Sequence, residues 1–341
     1  MSNYWEDASL NLHFTSKADC SLDANAATKY KVKANVPETY VTDLQKDLIA
    51  LGYMEDKDGN KDGYFGGGTK RAVGRFQRHA LRRFRMLSDK TRVDLPDADL
   101  WKGSETGSVD PSTAKEIRRW IDKKWTVPVG AYKLEPLDQG GKMREDAKKA
   151  WDAIVKAVTD AGGILEGPYG DTLRGLAKTS KSGTSSYSLH YCGRAVDINQ
   201  GFYGKRYFAK KDVVGSDTFW NLYCKTDKQD GTQGTEFKKG DFKYFVFYNE
   251  TESDIPKGYY LDLTGMIQAS GEFSRIKAQS GWDDSAKEKS ARYNKTEWWH
   301  FYYSKDVQKT FQDELELIGF DEKTIRAKGW ATDAELDHAP G

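Results

Sequence analysis

Two short segments restrict this chain more than any other part of it: Ser188-Leu-His190-Tyr-Cys-Gly193-Arg-Ala195-Val-Asp197 and Glu297-Trp-Trp-His300. On a helix, the span from His190 to Asp197 would mean roughly 10 Å of rise, awkward for two side chains that must meet at one point. Gly193 lets the backbone turn between them, and Ala195-Val-Asp-Ile-Asn199 then reads as a strand entering a sheet. Trp298-Trp-His-Phe-Tyr-Tyr303 is strand-like too. A group on a loop and a group on a strand can then converge.

Together the segments hold two imidazoles, one carboxylate suited to bind a metal, and a second carboxylate beside a ligand. That is the part list of a zinc hydrolase: three protein ligands, an open position for water, and a base for its proton. Glu297, three positions before His300, is the candidate base, while Trp298 and Trp299 either wall the site or simply fill core. A histidine loop alone, or Glu-x-x-His alone, arises by chance. Their joint presence in one predicted domain makes a metal site the stronger reading. His13, His79 and His338 have no such company. Cys192 could bind zinc, but without a Cys-x-x-Cys partner it is expected to pack as an ordinary buried thiol.

At 341 residues the chain is long enough for two domains with proper cores. Lys plus Arg total 53 against 52 for Asp plus Glu, which gives no electrostatic case for nucleic acid. The basic run from Arg71 to Arg85 lies on a helical pattern and reads as a solvated face. No stretch approaches the ~20 apolar residues that span a bilayer, and the N-terminus lacks the features of a secretory signal. Cys20, Cys192 and Cys224 do not make a disulfide scaffold.

Residues 1–37 have no sustained period and read as an arm or irregular cap. Leu44, Leu48 and Leu51 share a helical face that Gly52 ends, and Ala72, Val73, Phe76 and Ala80 line a second helix after Thr69. Val109-Asp-Pro111 starts a third helix with Ile117, Trp120 and Ile121 inward, closing a helical domain at 38–125. Pro and Gly punctuate 126–142 as a linker. A second domain is expected at 143–330, opening with a helix from Arg144 to Ala161 whose stripe is Ala147, Trp151, Ile154, Val155 and Val158. Ile164 to Gly167 and Phe242 to Tyr248 look like strands, 201–240 like an insertion, and Val307 to Ile318 like a closing helix. Residues 331–341 are expected to be a frayed tail.

The order Leu-Gln-x-x-Leu-x-x-Leu-Gly-Tyr, Asp62-Gly63-Tyr-Phe65-Gly66, Thr69-x-x-Ala72-Val73-x-x-Phe76-Gln77 closely resembles the small helical peptidoglycan-binding domain of cell-wall hydrolases. Phe65 is expected to plug the core between two short helices. The loop also matches half of a calcium template at Asp58, Asn60, Asp62 and Gly63, but its twelfth position is Thr69 instead of Glu, so a structural turn is the better reading.

Ser-x-His-x-x-Gly-x-Ala-x-Asp followed by Glu-x-x-His resembles the D-alanyl-D-alanine zinc metallopeptidase family, which includes carboxypeptidases, dipeptidases and lysin endopeptidases. The resemblance implies an α+β domain with a central antiparallel sheet. Zn2+ would be bound by His190, Asp197 and His300, Glu297 would be the general base, and Ser188 would shape the loop. It also implies an arginine that polarises the scissile carbonyl. Arg174 is the candidate, with Arg194, Arg275 and Arg292 as competitors and a plain surface arginine as the bland alternative. The function expected is a monomeric peptidoglycan hydrolase, cutting stem-peptide or cross-link bonds at or next to D-amino acids in the periplasm or cell wall. With no signal visible, export by another route or release by lysis is expected, as for an endolysin or a secreted effector. The alternatives are an L-Ala-D-Glu endopeptidase of lysin type and a non-catalytic wall-binding zinc protein.

Overall fold

The computed structural model describes residues 3–13, 20–22, 30–32, 39–138, 140–165, 167–179, 185–246, 251–284, 286 and 288–341. The rest of the expected arm (1–2, 14–19, 23–29 and 33–38) lies outside them. Two compact units divide the chain, Met1–Ala131 and Tyr132–Gly341, with the division inside the 126–142 stretch. No helix among the described residues is long and apolar enough to cross a membrane.

In the first unit, β1 (Cys20–Leu22) pairs with β2 (Tyr30–Val32). Helix α1 (Thr39–Ala50) buries Leu44 and Leu48. It ends at Gly52, whose φ of 84° lets Tyr53 N–H reach back to Leu48 O at 2.8 Å. Helix α2 (Gly67–Ala80) turns Ala72, Val73, Phe76 and Ala80 onto the same core, with Phe65 between the helices. Strands β3 (Phe84–Leu87) and β4 (Arg92–Asp94) follow. Asp110 caps α3 (Pro111–Asp122) by accepting from Thr113 N–H at 2.7 Å, and β5 (Trp125–Thr126) completes the sheet β4-β3-β5. Tyr4, Leu10 and Leu12 of the expected arm are buried in this core.

Two glutamines of the helical motif organise its loops. Buried Gln45 accepts from Gly63 N–H at 2.9 Å and donates to Asp62 Oδ1 at 2.9 Å and Tyr64 O at 3.1 Å. Gln77 accepts from the N–H groups of Thr106 and Gly107, both at 2.9 Å, and donates to Ser108 O at 2.8 Å. Each supplies partners that irregular backbone lacks. Asp62 Oδ1 also accepts from Tyr64 N–H at 2.9 Å, so the calcium-like positions form a self-bonded turn.

The second unit is mixed α+β with several small antiparallel sheets. After β6 (Leu134–Pro136) and β7 (Lys142–Arg144), helix α4 (Glu145–Asp160) buries Ala147, Trp151, Ile154 and Val158. Val155 is only half-buried against that core. The expected strand after the helix is absent at Ile164 and Leu165, which run irregularly, while Glu166 lies outside the described residues. Leu165 is nevertheless buried, and Ile164 O accepts from Tyr207 Oη at 2.9 Å. Side chains anchor this segment where a ladder was expected.

Strand β8 (Ala195–Asp197) precedes a long hairpin of β9 (Tyr207–Val214) and β10 (Asp217–Lys225). Then come β11 (Thr235–Phe237), β12 (Lys243–Val246), β13 (Thr251–Asp254), β14 (Gly258–Asp262), α5 (Leu263–Ala269), β15 (Phe273–Arg275), α6 (Lys289–Tyr293) and β16 (His300–Tyr303). Residues 247 and 248 of the expected strand lie outside the described residues. The sheets run β11-β14-β10-β9 and β15-β16-β8, with β12-β13 apart. Tyr207, Trp220 and Leu222 of the insertion share a core with Trp151, Val196 and Phe301.

Helix α7 (Phe311–Leu317) starts later than the pattern suggests, because Thr310 caps it by accepting from Asp313 N–H at 3.2 Å. Helices α8 (Glu322–Ala327) and α9 (Asp333–Leu336) follow. The expected frayed tail is corrected here. Trp330 and Leu336 are fully buried beside Tyr191 and Phe311, Thr332 and Glu335 form a capping box, and Gly341 N–H donates to Tyr187 O at 2.9 Å.

Candidate metal centre

The sheet register places the first two groups. Strands β8 and β16 run antiparallel with His300 directly opposite Asp197, so both side chains leave the same face. Val196 and Phe301, one residue along each strand, enter the core on the other face. The third group comes from a single turn of 3-10 helix, Leu189–Cys192, started by Ser188, whose side chain accepts from His190 N–H at 3.3 Å. Gly193 ends that turn at φ 65°, where an added Cβ would lie 3.0 Å from Arg144 N. The chain then enters β8.

His190 Nε2, Asp197 Oδ1 and His300 Nδ1 meet. The separations are 3.2 Å between His190 and Asp197, 3.1 Å between His190 and His300, and 3.0 Å between His300 and Asp197. Tetrahedral zinc with ligands at ~2.0–2.1 Å sets its donor atoms about 3.3–3.4 Å apart, so the triangle is close to the size this ion needs. His190 Nδ1 lies 2.7 Å from Thr172 O. A carbonyl can only accept, so the proton sits on Nδ1 and Nε2 presents its lone pair. Two imidazoles and one carboxylate, with an outer partner fixing a tautomer, fit a zinc ion.

The three groups also shift one another's charge. Burial alone would raise the Asp197 carboxyl, but the neighbouring His190 and His300 imidazoles hold it well below the usual carboxylate range. Burial works against charge on His190, yet Asp197 and Asp171 raise its pKa. His300 is lowered, first by burial and then by the neighbouring His190 against the pull of Asp197.

Glu297 lines the same cleft at a left-handed φ of 55°, unusual for a residue with a side chain. Its carboxyl is pushed up to about 7, by burial first and by the Asp197 carboxylate second, while Gln279, His190 and Arg174 pull it back. Gln279 Nε2 donates to Glu297 Oε1 at 2.5 Å. No motif pointed to Gln279, and a lone amide eighteen positions upstream gives no sequence signal.

Arg174 lines the cleft as well. Its Nη1 is screened from solvent and has no hydrogen-bond partner among the described residues, a state that costs about 1–3 kcal/mol unless water or a ligand fills it. The competitors Arg194, Arg275 and Arg292 are not among the residues that line the cleft. Arg194 is fully buried and its Nη1 donates to Glu314 Oε1 at 2.8 Å. Arg275 binds Asp212 and Asn221, both at 2.6 Å. Arg292 lies on α6.

The cleft has a volume of about 640 Å³, within the range of clefts that bury a drug-sized ligand. Neutral groups such as Ser188, Gln200, Asn294 and Tyr302 line it, along with apolar Ile276 and Val307. Trp299 forms part of the wall, whereas Trp298 packs into the core with its ring 4.5 Å from Tyr203. Cys192 is completely buried and its thiol is raised by burial, so it is packing and not a ligand.

Compared with known protein families, residues 38–80 match the family described as "Putative peptidoglycan binding domain". No curated protein and no solved structure matches the chain. The first unit thus carries a peptidoglycan-binding domain, which makes peptidoglycan a partner and gives the protein a wall-directed role.

Proposed function

We propose that residues 132–341 are a zinc-dependent peptidase that hydrolyses stem-peptide or cross-link bonds, at or next to D-amino acids, in the polymer bound by residues 38–80. The main support is the meeting of His190 Nε2, Asp197 Oδ1 and His300 Nδ1 in one cleft with Glu297 and Arg174. The D-amino-acid preference rests on the motif resemblance. His190, Asp197 and His300 would hold the zinc, which when bound would supply a Lewis acid and would acidify water.

The chain does the rest. Glu297 takes a proton from water onto its carboxylate and returns it to the leaving nitrogen. Gln279 holds Glu297 Oε1 during both transfers, which limits the rotamers of the base. Arg174 Nη1 donates to the carbonyl oxygen as charge builds on it. Trp299 and Ile276 reduce access of bulk water. A cleft of this volume suits several residues of a polymer-borne stem better than a free dipeptide. Tethering by the first unit raises the local concentration of such stems.

Glu297→Gln tests the reading. The variant should keep about one zinc per chain while release of peptides from purified sacculi falls by about 10²-fold or more. Equal release by variant and wild type would sink the peptidase. Mass spectrometry of the released muropeptides identifies the bond, and cleavage between L-Ala and D-Glu would replace the D,D assignment by the lysin type.

A further inference from the structure

The segment Gly170–Arg174 matches no motif, yet it is bonded to two of the three metal-ligand positions. Gly170 N–H donates to Asp197 O and Asp197 N–H donates to Asp171 O, both at 2.8 Å, so the irregular segment is bonded to the end of β8 without forming a strand. Thr172 O accepts from His190 Nδ1, and Arg174 N–H donates to His190 O at 3.0 Å. These are backbone tasks. The Asp171 side chain does something different: its Oδ2 accepts from Arg174 Nη2 at 2.6 Å and from Nε at 3.2 Å. The grip takes the Nε edge of the guanidinium, and the Tyr191 ring lies 5.3 Å from its central carbon. What remains unengaged is Nη1, the buried donor without a partner among the described residues.

We propose that Asp171 is the positioning residue for Arg174, fixing the guanidinium so that Nη1 addresses the substrate oxygen that gains charge. The inference rests on the peptidase reading and adds to it the group through which Arg174 is aimed. An arginine held on one edge and one face no longer searches its rotamers when substrate arrives. A bond made fully only to the transition state shows in kcat more than in KM. Asp171 itself touches no reacting atom.

A kinetic double-mutant cycle on the full chain tests this, using cross-linked muropeptides as substrate, with zinc content and Tm measured for every variant. Asp171→Ala should lower kcat by about 10-fold, the scale of an outer-shell partner, with KM within about twofold. Arg174→Ala should lower it by about 10²-fold, and the double variant should match Arg174→Ala, because no guanidinium is left to aim. Asp171→Asn, which keeps an acceptor oxygen, should recover part of the loss. A phosphinate analogue of a D-amino-acid dipeptide, a tetrahedral anion, should bind more weakly to Asp171→Ala by the same factor in calorimetry. Effects that multiply in the double variant, or an unchanged phosphinate affinity, overturn the proposal and leave Asp171 a loop residue. Wild type inert toward every muropeptide is a different result: it removes the peptidase reading, and this proposal with it.

Discussion

Replacing Glu314 by alanine asks whether the loop that carries His190 is held from behind by charge. Glu314 and Arg194 have fully buried side chains, and Arg144 is 1% exposed. One carboxylate serves both guanidiniums, with Oε2 accepting from Arg144 Nη1 at 2.9 Å and Oε1 from Arg194 Nη1 at 2.8 Å. Gln308 N–H adds a third bond at 2.7 Å. Without Glu314, Arg144 keeps Asp146, bound at 2.7 Å through both Nε and Nη2. Arg194 keeps hydrogen bonds to the neutral carbonyls of Tyr303, Lys305 and Asp306 and the face of the Tyr303 ring. Its charge is then buried with no bonded counter-ion, the more distant Asp146 being the acidic group still acting on it, a change that costs up to about 3–5 kcal/mol. In a unit of this size each kcal/mol moves Tm by about 2–4 °C, so the second unit should melt about 6–20 °C lower. Differential scanning calorimetry of the intact chain reads this, with the second unit's transition assigned by its response to zinc. Glu314→Gln should fall between, since its amide oxygen can satisfy one guanidinium while its amide nitrogen faces the other. A drop of less than about 3 °C for Glu314→Ala would refute the reasoning, because it would mean that the carbonyl dipoles and Asp146 together compensate Arg194.

Glu297 gives a pH test in chelator-treated protein. Its folded pKa of about 7 lies above the ordinary 4.5, so between those values the unfolded chain binds fewer protons and stability falls as pH rises. The Tm of wild type minus that of Glu297→Gln should therefore decrease from pH 4.5 to pH 7.5, and a difference that grows over this window contradicts the burial argument. In the first unit, Gln45→Leu strips the Gly63 N–H and Asp62 of their buried partner and should cost about 1–3 kcal/mol in urea unfolding, with weaker retention on sacculi. Unchanged stability would show that water replaces the amide.

The features that could be read from the chain were those carried by local pattern. Helical periodicity located α1, α2 and α3, and residue order alone singled out His190, Asp197, His300 and Glu297. What could not be read was pairing across distance. Nothing near Arg194 announces that Glu314 claims it, and nothing near Glu297 announces Gln279. Gly170 to Thr172 acts through main-chain atoms, which leave no side-chain signature. The expected strand at Ile164 failed because a short apolar run between glycines fits a buried loop equally well. The tail does carry a usable signal, since Thr332-x-x-Glu335 is a capping box and Trp330 and Leu336 flank it.

The geometry of the centre follows from sheet register more than from any ligand's own loop. Along β16, His300 and Tyr302 face the cleft while Phe301 faces the core. Along β8, Asp197 faces the cleft and Val196 the core. A slip of one residue between the strands would carry His300 off the Asp197 face and push Phe301 out of the core. Burial of Val196 and Phe301 in the apolar core therefore fixes the pairing that sets two of the three donor atoms. Only His190 depends on a loop, and that loop is pinned by Ser188 at its start, Gly193 at its end and Thr172 O at the imidazole. Apolar packing thus sets the register first, and the polar groups need only complete a triangle that the sheet has already begun.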